Sequence, residues 1–222
     1  MKAAGMEWPY RLGWAFFRAL FALVFRRKNL HPERVPGMGP CILASNHASY
    51  FDPPLVGSCI SRQLSILARD SLFRFPVFGR VLRSWRAVPV DPQGGSAAGL
   101  KAIMDRLDKG GAVLIFPEGT RTRDGKLLPV RSGVGLAVIK SGAPVVPVRV
   151  WGSYEAYGKH HLLPRPRKLT VKFGYPLDFK SYHEEAARCS KSRLKEIYQE
   201  ISQQIMQAIA ALEPVEDKTR FP

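Results

Sequence analysis

The sequence predicts an α/β fold built on a central, mostly mixed sheet flanked by helices. Two observations predict it. Short apolar runs alternate with helical stretches from about residue 41 to residue 173. The runs Cys41–Ser45 (CILAS) and Ala112–Phe116 (AVLIF) are continuous and short, as buried strands are.

The most apolar stretch comes first, from about Trp8 to Phe25, followed by Arg26, Arg27 and Lys28. A membrane span needs roughly 20 mostly apolar residues, and this stretch is shorter and carries Arg11 and Arg18. Those two lie seven residues apart and share a helical face. An aromatic body with a basic edge suits a helix, or a helical hairpin, lying in a membrane interface. The alternative is a helix packed on the domain. A secretory signal is not indicated, because the core is charged and no small-residue cleavage site follows.

After the turn-rich linker Val35–Pro40 and the strand Cys41–Ser45, a helix is expected over Pro53–Ile60, with Asp52 as N-cap and Pro53 at the first helical position. Gln63–Ala68 reads as a strand, Pro76–Trp85 as a helix and Ala87–Val90 as a strand. Ser96–Lys109 places Leu100, Ile103, Met104 and Leu107 on one face and stops at Gly110. The strand Ala112–Phe116 follows, then a helix over Ser132–Ser141, a strand over Pro144–Val150 and another over Leu169–Phe173. The tail from about Glu184 to Leu212 is expected to be helical, with Leu194, Ile197, Tyr198, Ile201, Ile205, Ile209 and Leu212 in its docking stripe. The domain organisation is therefore an N-terminal segment over 1–30, one domain over 31–213, and a loose tail over 214–222.

The 222 residues contain 34 Lys+Arg against 18 Asp+Glu, a formal net charge of +16. That surplus predicts attraction to polyanions: nucleic acid, an anionic lipid surface, or an acidic substrate or carrier. A basic nucleic-acid-binding protein is one alternative, but no helix-turn-helix, finger or RNA-binding signature accompanies the charge. Cys41, Cys59 and Cys189 show neither metal spacing nor a disulfide framework, which fits a reducing compartment.

Two constellations carry chemistry. Asn46-His47-Ala48-Ser49-Tyr50-Phe51-Asp52 follows a buried strand and precedes a helix. The loop is long enough for Asp52 to fold back onto one ring nitrogen of His47, leaving the other to take a proton from an alcohol. An Asp in this position could equally cap the helix. No nucleophile elbow accompanies it, which argues for direct transfer rather than a covalent enzyme intermediate. The second constellation, Phe116-Pro117-Glu118-Gly119-Thr120-Arg121, ends the most hydrophobic strand. Gly119 permits close backbone approach to a ligand, and Arg121 offers a fork matched to phosphate. A plain Pro/Gly turn with a solvated Arg is the alternative.

Together, Asn46-His47…Asp52 and Phe116–Arg121, about seventy residues apart, resemble the glycerolipid acyltransferase family, and within it the 1-acylglycerol-3-phosphate acyltransferases. A later block, Val145-Val146-Pro147-Val148, matches as well. The resemblance implies a glycerol-3-phosphate-acyltransferase-like fold. It also implies transfer of a fatty acyl group to the sn-2 hydroxyl of lysophosphatidic acid, giving phosphatidic acid. His47 would be the general base and Asp52 its orienting partner. Asn46, Glu118, Gly119, Thr120 and Arg121 would bind the acceptor, with Arg121 on its phosphate. The Val145–Val148 strand would help line the donor site, and backbone amides near the Phe116–Arg121 turn are candidates for the oxyanion donor. The donor would be acyl-CoA or acyl-ACP, with no metal and no redox cofactor. Partners would be anionic membrane lipids, a coenzyme A or acyl carrier protein thioester, and a lysophospholipid, with no nucleic acid. The location implied is the cytoplasmic face of a membrane, peripheral or monotopic.

This sequence departs from the family in one block. Where the family often has Gly-x-Ile-Pro-Val-Asp-Arg, the stretch is Arg86-Ala87-Val88-Pro89-Val90-Asp91-Pro92. Pro92 carries no charge and donates no hydrogen bond. Either Arg86 or a neighbour such as Arg83 supplies the cation, or the acceptor is another lyso-lipid. Arg131 keeps the charge of a Phe-Lys pair that usually precedes Gly133, and Arg69 stands where the family often has Lys, a further acceptor-site candidate. Gln93-Gly94-Gly95-Ser96 reads as a flexible loop, and His160-His161 as part of a basic loop. The stretch Lys159–Lys168 is either a solvated loop or a second contact with anionic headgroups.

Overall fold

The computed structural model describes residues 6–84, 87–90 and 96–217. Its seven strands are β1 (Lys28–Leu30), β2 (Cys41–Ser45), β3 (Leu64–Arg69), β4 (Val88–Val90), β5 (Ala112–Ile115), β6 (Val145–Trp151) and β7 (Thr170–Phe173). They form one sheet in the order β1-β7-β6-β2-β5-β3-β4. Every pair is parallel except β6–β7, so the sheet is mixed, as expected. The helices are α1 (Trp8–Leu23), α2 (Asp52–Cys59), α3 (Pro76–Ser84), α4 (Ser96–Leu107), α5 (Gly133–Ser141), α6 (Ser153–Tyr157), α7 (Lys180–Ala186) and α8 (Lys191–Ala211).

Two cores sandwich the sheet, because alternate side chains of a strand point to opposite faces. Leu43 of β2 packs with Phe21 beside α2 residues Leu55 and Val56. Its neighbours Ile42 and Ala44 pack on the other side with Val138 of α5 and Ile201 and Ile205 of α8. There α5 meets α8 backbone to backbone: a Cβ on Gly135 would lie 2.0 Å from Tyr198 O, and Gly135 N–H donates to Ser202 Oγ at 3.0 Å.

The N-terminal segment is one helix rather than a hairpin, packed on the domain by one face and exposed on the other. Its inner face buries Tyr10 and Phe21. Leu64 N–H donates to the Tyr10 hydroxyl at 3.1 Å, and Trp14 Nε1–H donates to Ile60 O at 2.8 Å. Its outer face leaves Trp8, Leu12, Phe16 and Leu23 exposed, spaced by four, four and seven residues and so on one stripe. Arg11 and Arg18 are divided, however. Arg11 is exposed, whereas Arg18 turns inward, donating to Ser58 O at 3.3 Å and lying over the Trp14 ring. Among the described residues no helix is long and apolar enough to cross a membrane.

The structure corrects three boundaries. The domain begins before residue 31, because β1 pairs with β7 in the sheet itself. The helical stretch expected from about Glu184 is interrupted after Ala186: Ser190 Oγ accepts from Arg193 N–H and starts α8 afresh. The tail over 214–217 is fastened rather than loose. Lys172, buried on β7, donates to Val215 O at 2.8 Å and pairs with Asp217. Arg34 pairs with Asp217 too, and Glu216 reaches His31 at 3.3 Å. The segments β1 and α6, three and five residues long, lie below the length at which periodicity is readable.

Candidate active site

Strands β2 and β5 are parallel neighbours, and their chains leave in opposite directions. From β2 the chain passes to α2 on the Phe21 side, and from β5 to α5 on the Val138 side. Two connections that diverge in this way open a crevice at the carboxyl ends of the strands. Both sequence constellations sit there.

At the end of β2, Asn46 turns inward. Its Oδ1 accepts from Val150 N–H at 2.8 Å and its Nδ2 donates to Val150 O at 3.1 Å. The amide expected to meet substrate is thus consumed in clamping β2 to β6. His47 comes next, partly exposed, its ring stacked on Phe116 with centroids 3.8 Å apart.

Asp52 is fully buried, and it does not cap its helix as a free N-cap would. Its Oδ2 faces back into the loop, accepting from Ala48 N–H at 2.6 Å and Ser49 N–H at 2.7 Å. The same oxygen lies 2.9 Å from His47 Nδ1. An oxygen already receiving two backbone donors acts as an acceptor toward the ring, so Nδ1 carries the proton. That leaves Nε2 with its lone pair, and among the described residues nothing bonds it. Asp52 Oδ1 is buried without a hydrogen-bond partner. Ser49 anchors the loop from behind, its hydroxyl donating to Tyr157 O at 2.7 Å.

At the end of β5, Glu118 is 2% exposed. Its Oε1 accepts from His47 N–H at 3.0 Å and its Oε2 from Leu128 N–H at 3.1 Å. Both oxygens therefore hold backbone, so Glu118, expected on the acceptor, joins the two constellations instead. Burial pushes its carboxyl up to about 7, against the pull of the two N–H donors and with a smaller push from Asp52. Thr122 N–H donates to His47 O at 2.9 Å, a second tie between the blocks. Gly119 has φ +70°, and a Cβ there would meet the Arg131 side chain at 2.9 Å. Its N–H goes to Phe116 O at 2.9 Å, so the Gly119 and Thr122 amides are spent and are not oxyanion donors. Thr120 is exposed on the turn.

Arg121 lies with its guanidinium carbon 3.5 Å from the centre of the Tyr50 ring. Its Nη1 is buried without a hydrogen-bond partner, and among the described residues it makes no ion pair. A cation held flat against an aromatic with unused donors suits a bound phosphate. Tyr50 in turn contacts Tyr157, Tyr157 contacts Phe51, and Phe51 contacts Phe21 and Phe25, with centroids 5.1–5.4 Å apart along the chain of rings. The cation is thereby linked through packed rings to the end of α1.

Other expected residues fall elsewhere. Arg69 closes β3 at the same edge of the sheet, paired in register with Val90; its side chain lies outside the described residues, as do Arg86, Pro92 and the loop Gln93–Gly95. Arg83 is exposed on α3 near the Phe73 ring. Val145, Val146 and Val148 are wholly buried in the cores, so that strand supports the site rather than lining it. Cys41 and Cys59 are free, buried thiols pushed up to about 11 by desolvation, which makes them poor nucleophiles. Phe116 beneath His47 and Tyr50 beneath Arg121 are the contributors that sequence reasoning missed. Both lay inside the motifs, and an aromatic beside a titratable group was the available signal.

Residues 26–151 match the acyltransferase family. The chain is 34% identical over 117 residues to the chloroplastic 1-acyl-sn-glycerol-3-phosphate acyltransferase BAT2 of Brassica napus, covering 51% of this chain and 33% of that protein. It is 31% identical over 147 residues to the 1-acyl-sn-glycerol-3-phosphate acyltransferase of Cocos nucifera, covering 65% of this chain and 48% of that protein. The chain thus spans a third to a half of these two plant relatives. The crystal structure of the 1-acyl-sn-glycerophosphate (LPA) acyltransferase PlsC from Thermotoga maritima matches with a TM-score of 0.71 at 25% identity, over 92% of this chain and 80% of that one.

Proposed function

The chain belongs to the acyltransferase family, and on that premise we propose that it moves a fatty acyl group from a thioester to the sn-2 hydroxyl of lysophosphatidic acid, giving phosphatidic acid. One observation carries the reading: His47 Nδ1 is held 2.9 Å from buried Asp52, with Nε2 free at the crevice that also holds Arg121.

Nε2 takes the proton of the acceptor hydroxyl as its oxygen bonds to the thioester carbonyl carbon. The carbon–sulfur bond then breaks, and the departing thiolate takes the proton from the imidazolium. Asp52 holds the tautomer and steadies the positive ring. Phe116 fixes the plane of the ring, and Arg121 places the acceptor through its phosphate. The three thiols, none of them in a disulfide, suit the cytoplasmic face of a membrane, where an acyl thioester on coenzyme A or acyl carrier protein is the donor class. The exposed stripe of α1 supports a peripheral, interfacial placement, with the acceptor drawn from the bilayer.

The test is acyl transfer to lysophosphatidic acid, with each donor, by the whole chain and by His47→Ala. Loss of product with unchanged vesicle binding is expected; retained activity removes His47 from the mechanism. Pro92 favours a second reading, another lyso-lipid acceptor, and a panel of headgroups read by product mass separates the two.

A further inference from the structure

The loop from Lys159 to Lys168 contributes nothing to either core, yet its form is specific. Leu162 is 93% exposed and Leu163 is 75% exposed. Single exposed leucines are ordinary; two in succession at a loop tip are not explained by the fold. The tip is bracketed by Lys159, Arg165, Arg167 and Lys168, all exposed, with no acidic residue in the stretch. Among the described residues none of the four is in an ion pair.

The loop is held firmly at both ends. His161 N–H donates to Gly158 O at 3.1 Å and Arg165 N–H to Ala156 O at 2.8 Å. At its far end Leu169 N–H donates to Phe25 O at 3.2 Å and Lys28 N–H to Leu169 O at 2.8 Å. Pro164 and Pro166 restrict the backbone between. The base of the loop adjoins the His47–Asp52 loop, because Ser49 and Gly158 form an antiparallel bridge. The loop therefore starts at the rim of the crevice and ends where α1 ends, beside exposed Leu23 and Val24.

We propose that the 159–168 loop is a second membrane-contact element, in which Leu162 and Leu163 enter the acyl layer of an anionic bilayer while the flanking cations meet phosphate headgroups. It rests on the interfacial reading of α1 given above. Apolar tips ringed by cations complement a surface that is apolar within and anionic outside. An acidic protein would be met by the cations but has no comparable use for two protruding leucines. With α1 as one contact and the loop as another, the crevice between them is turned toward the bilayer that supplies the acceptor.

The experiment is sedimentation of the full chain with phosphatidylcholine vesicles, with and without phosphatidylglycerol, carried out on His47→Ala so that turnover plays no part. Replacing both leucines (Leu162→Ser with Leu163→Ser) is expected to lower binding to phosphatidylglycerol vesicles by about tenfold or more. Arg165→Gln with Arg167→Gln should lower it by about fivefold per charge and remove part of its salt dependence. All four sites are exposed, so thermal melts should stay unchanged. Unaltered partition of both variants overturns the proposal. So does unaltered partition when the same substitutions, made in the parent chain with His47 intact, raise KM for an acyl donor on acyl carrier protein, which would make the loop a protein-docking site. If partition falls as expected but the parent chain transfers no acyl group, the acyltransferase reading fails and the membrane contact stands.

Discussion

The carboxylate of Glu118 and the backbone N–H of His47, 71 residues apart in sequence, meet at 3.0 Å. With its other oxygen on Leu128 N–H, Glu118 fixes where the His47–Asp52 loop stands relative to the turn that carries Arg121. Gln in its place would keep one acceptor oxygen and turn an NH2 toward a second N–H donor. Losing one bond to a buried charged group costs about 1.5–3 kcal/mol. Glu118→Gln should therefore lower kcat by about ten- to a hundredfold while moving KM less; equal rates would show that the tie is idle.

The same residue predicts a pH signature. Its carboxyl is raised from 4.5 to about 7 by burial, so the folded chain holds this proton more tightly than the unfolded chain does. Stability from this group is full below 4.5 and falls as pH rises from 4.5 to 7, then levels. Chemical denaturation across that window should show the decline in the parent chain and a flatter curve in Glu118→Gln. Parallel curves would mean that Glu118 titrates normally.

Asp52 makes a sharper case. Asn there would present an NH2 or a neutral oxygen to a site built from two backbone N–H donors and a ring N–H. The ring would lose the partner that fixes its tautomer and steadies the imidazolium. Asp52→Asn should reduce kcat by about a hundredfold or more and leave binding of the acceptor little changed. A large effect on KM alone would relocate Asp52 from chemistry to binding.

How far the sequence showed all this depends on whether a signal is local. The strand Cys41–Ser45 and the pairing of His47 with Asp52 were legible because strand, loop and helix start lie within a few residues. The place of Asp52 was only half legible, since a carboxylate before a helix reads as a cap whether it faces forward or back. The resemblance places Asn46 and Glu118 on the acceptor, and nothing local in the sequence says that their partners are Val150, Leu128 and the backbone of His47. Lys172 and Asp217 were likewise invisible as a pair, so the tail read as loose.

Tyr50 is open to a test that spares the chemistry. The centre of its ring lies 3.5 Å from the Arg121 guanidinium carbon, and Arg121 Nη1 is left without a hydrogen-bond partner. Tyr50→Leu keeps bulk but removes the aromatic face, worth about 0.5–2 kcal/mol to a cation. KM for a phosphate-bearing acceptor should rise about two- to thirtyfold with kcat nearly unchanged, and Tyr50→Phe should restore it. If Tyr50→Phe is as impaired as Tyr50→Leu, the hydroxyl rather than the ring is what matters.

Asp217 gives the prediction farthest from the crevice. It sits between Arg34 and Lys172, whose hydrogen bonds draw its carboxyl down from 3.8 to about 2. Lys172 is buried, so removing its acid leaves a cation with, among the described residues, Val215 O as its remaining hydrogen-bond partner. Asp217→Asn should lower Tm at neutral pH and free residues 213–217 to protease, with transfer activity measured at low temperature unchanged. Because the folded pKa is depressed, the stabilisation is present above 3.8 and fades as pH falls through about 2. The Tm gap between the parent chain and Asp217→Asn should therefore close over that acid range. A gap that persists below it would mean that Asp217 stabilises the tail by shape rather than by charge.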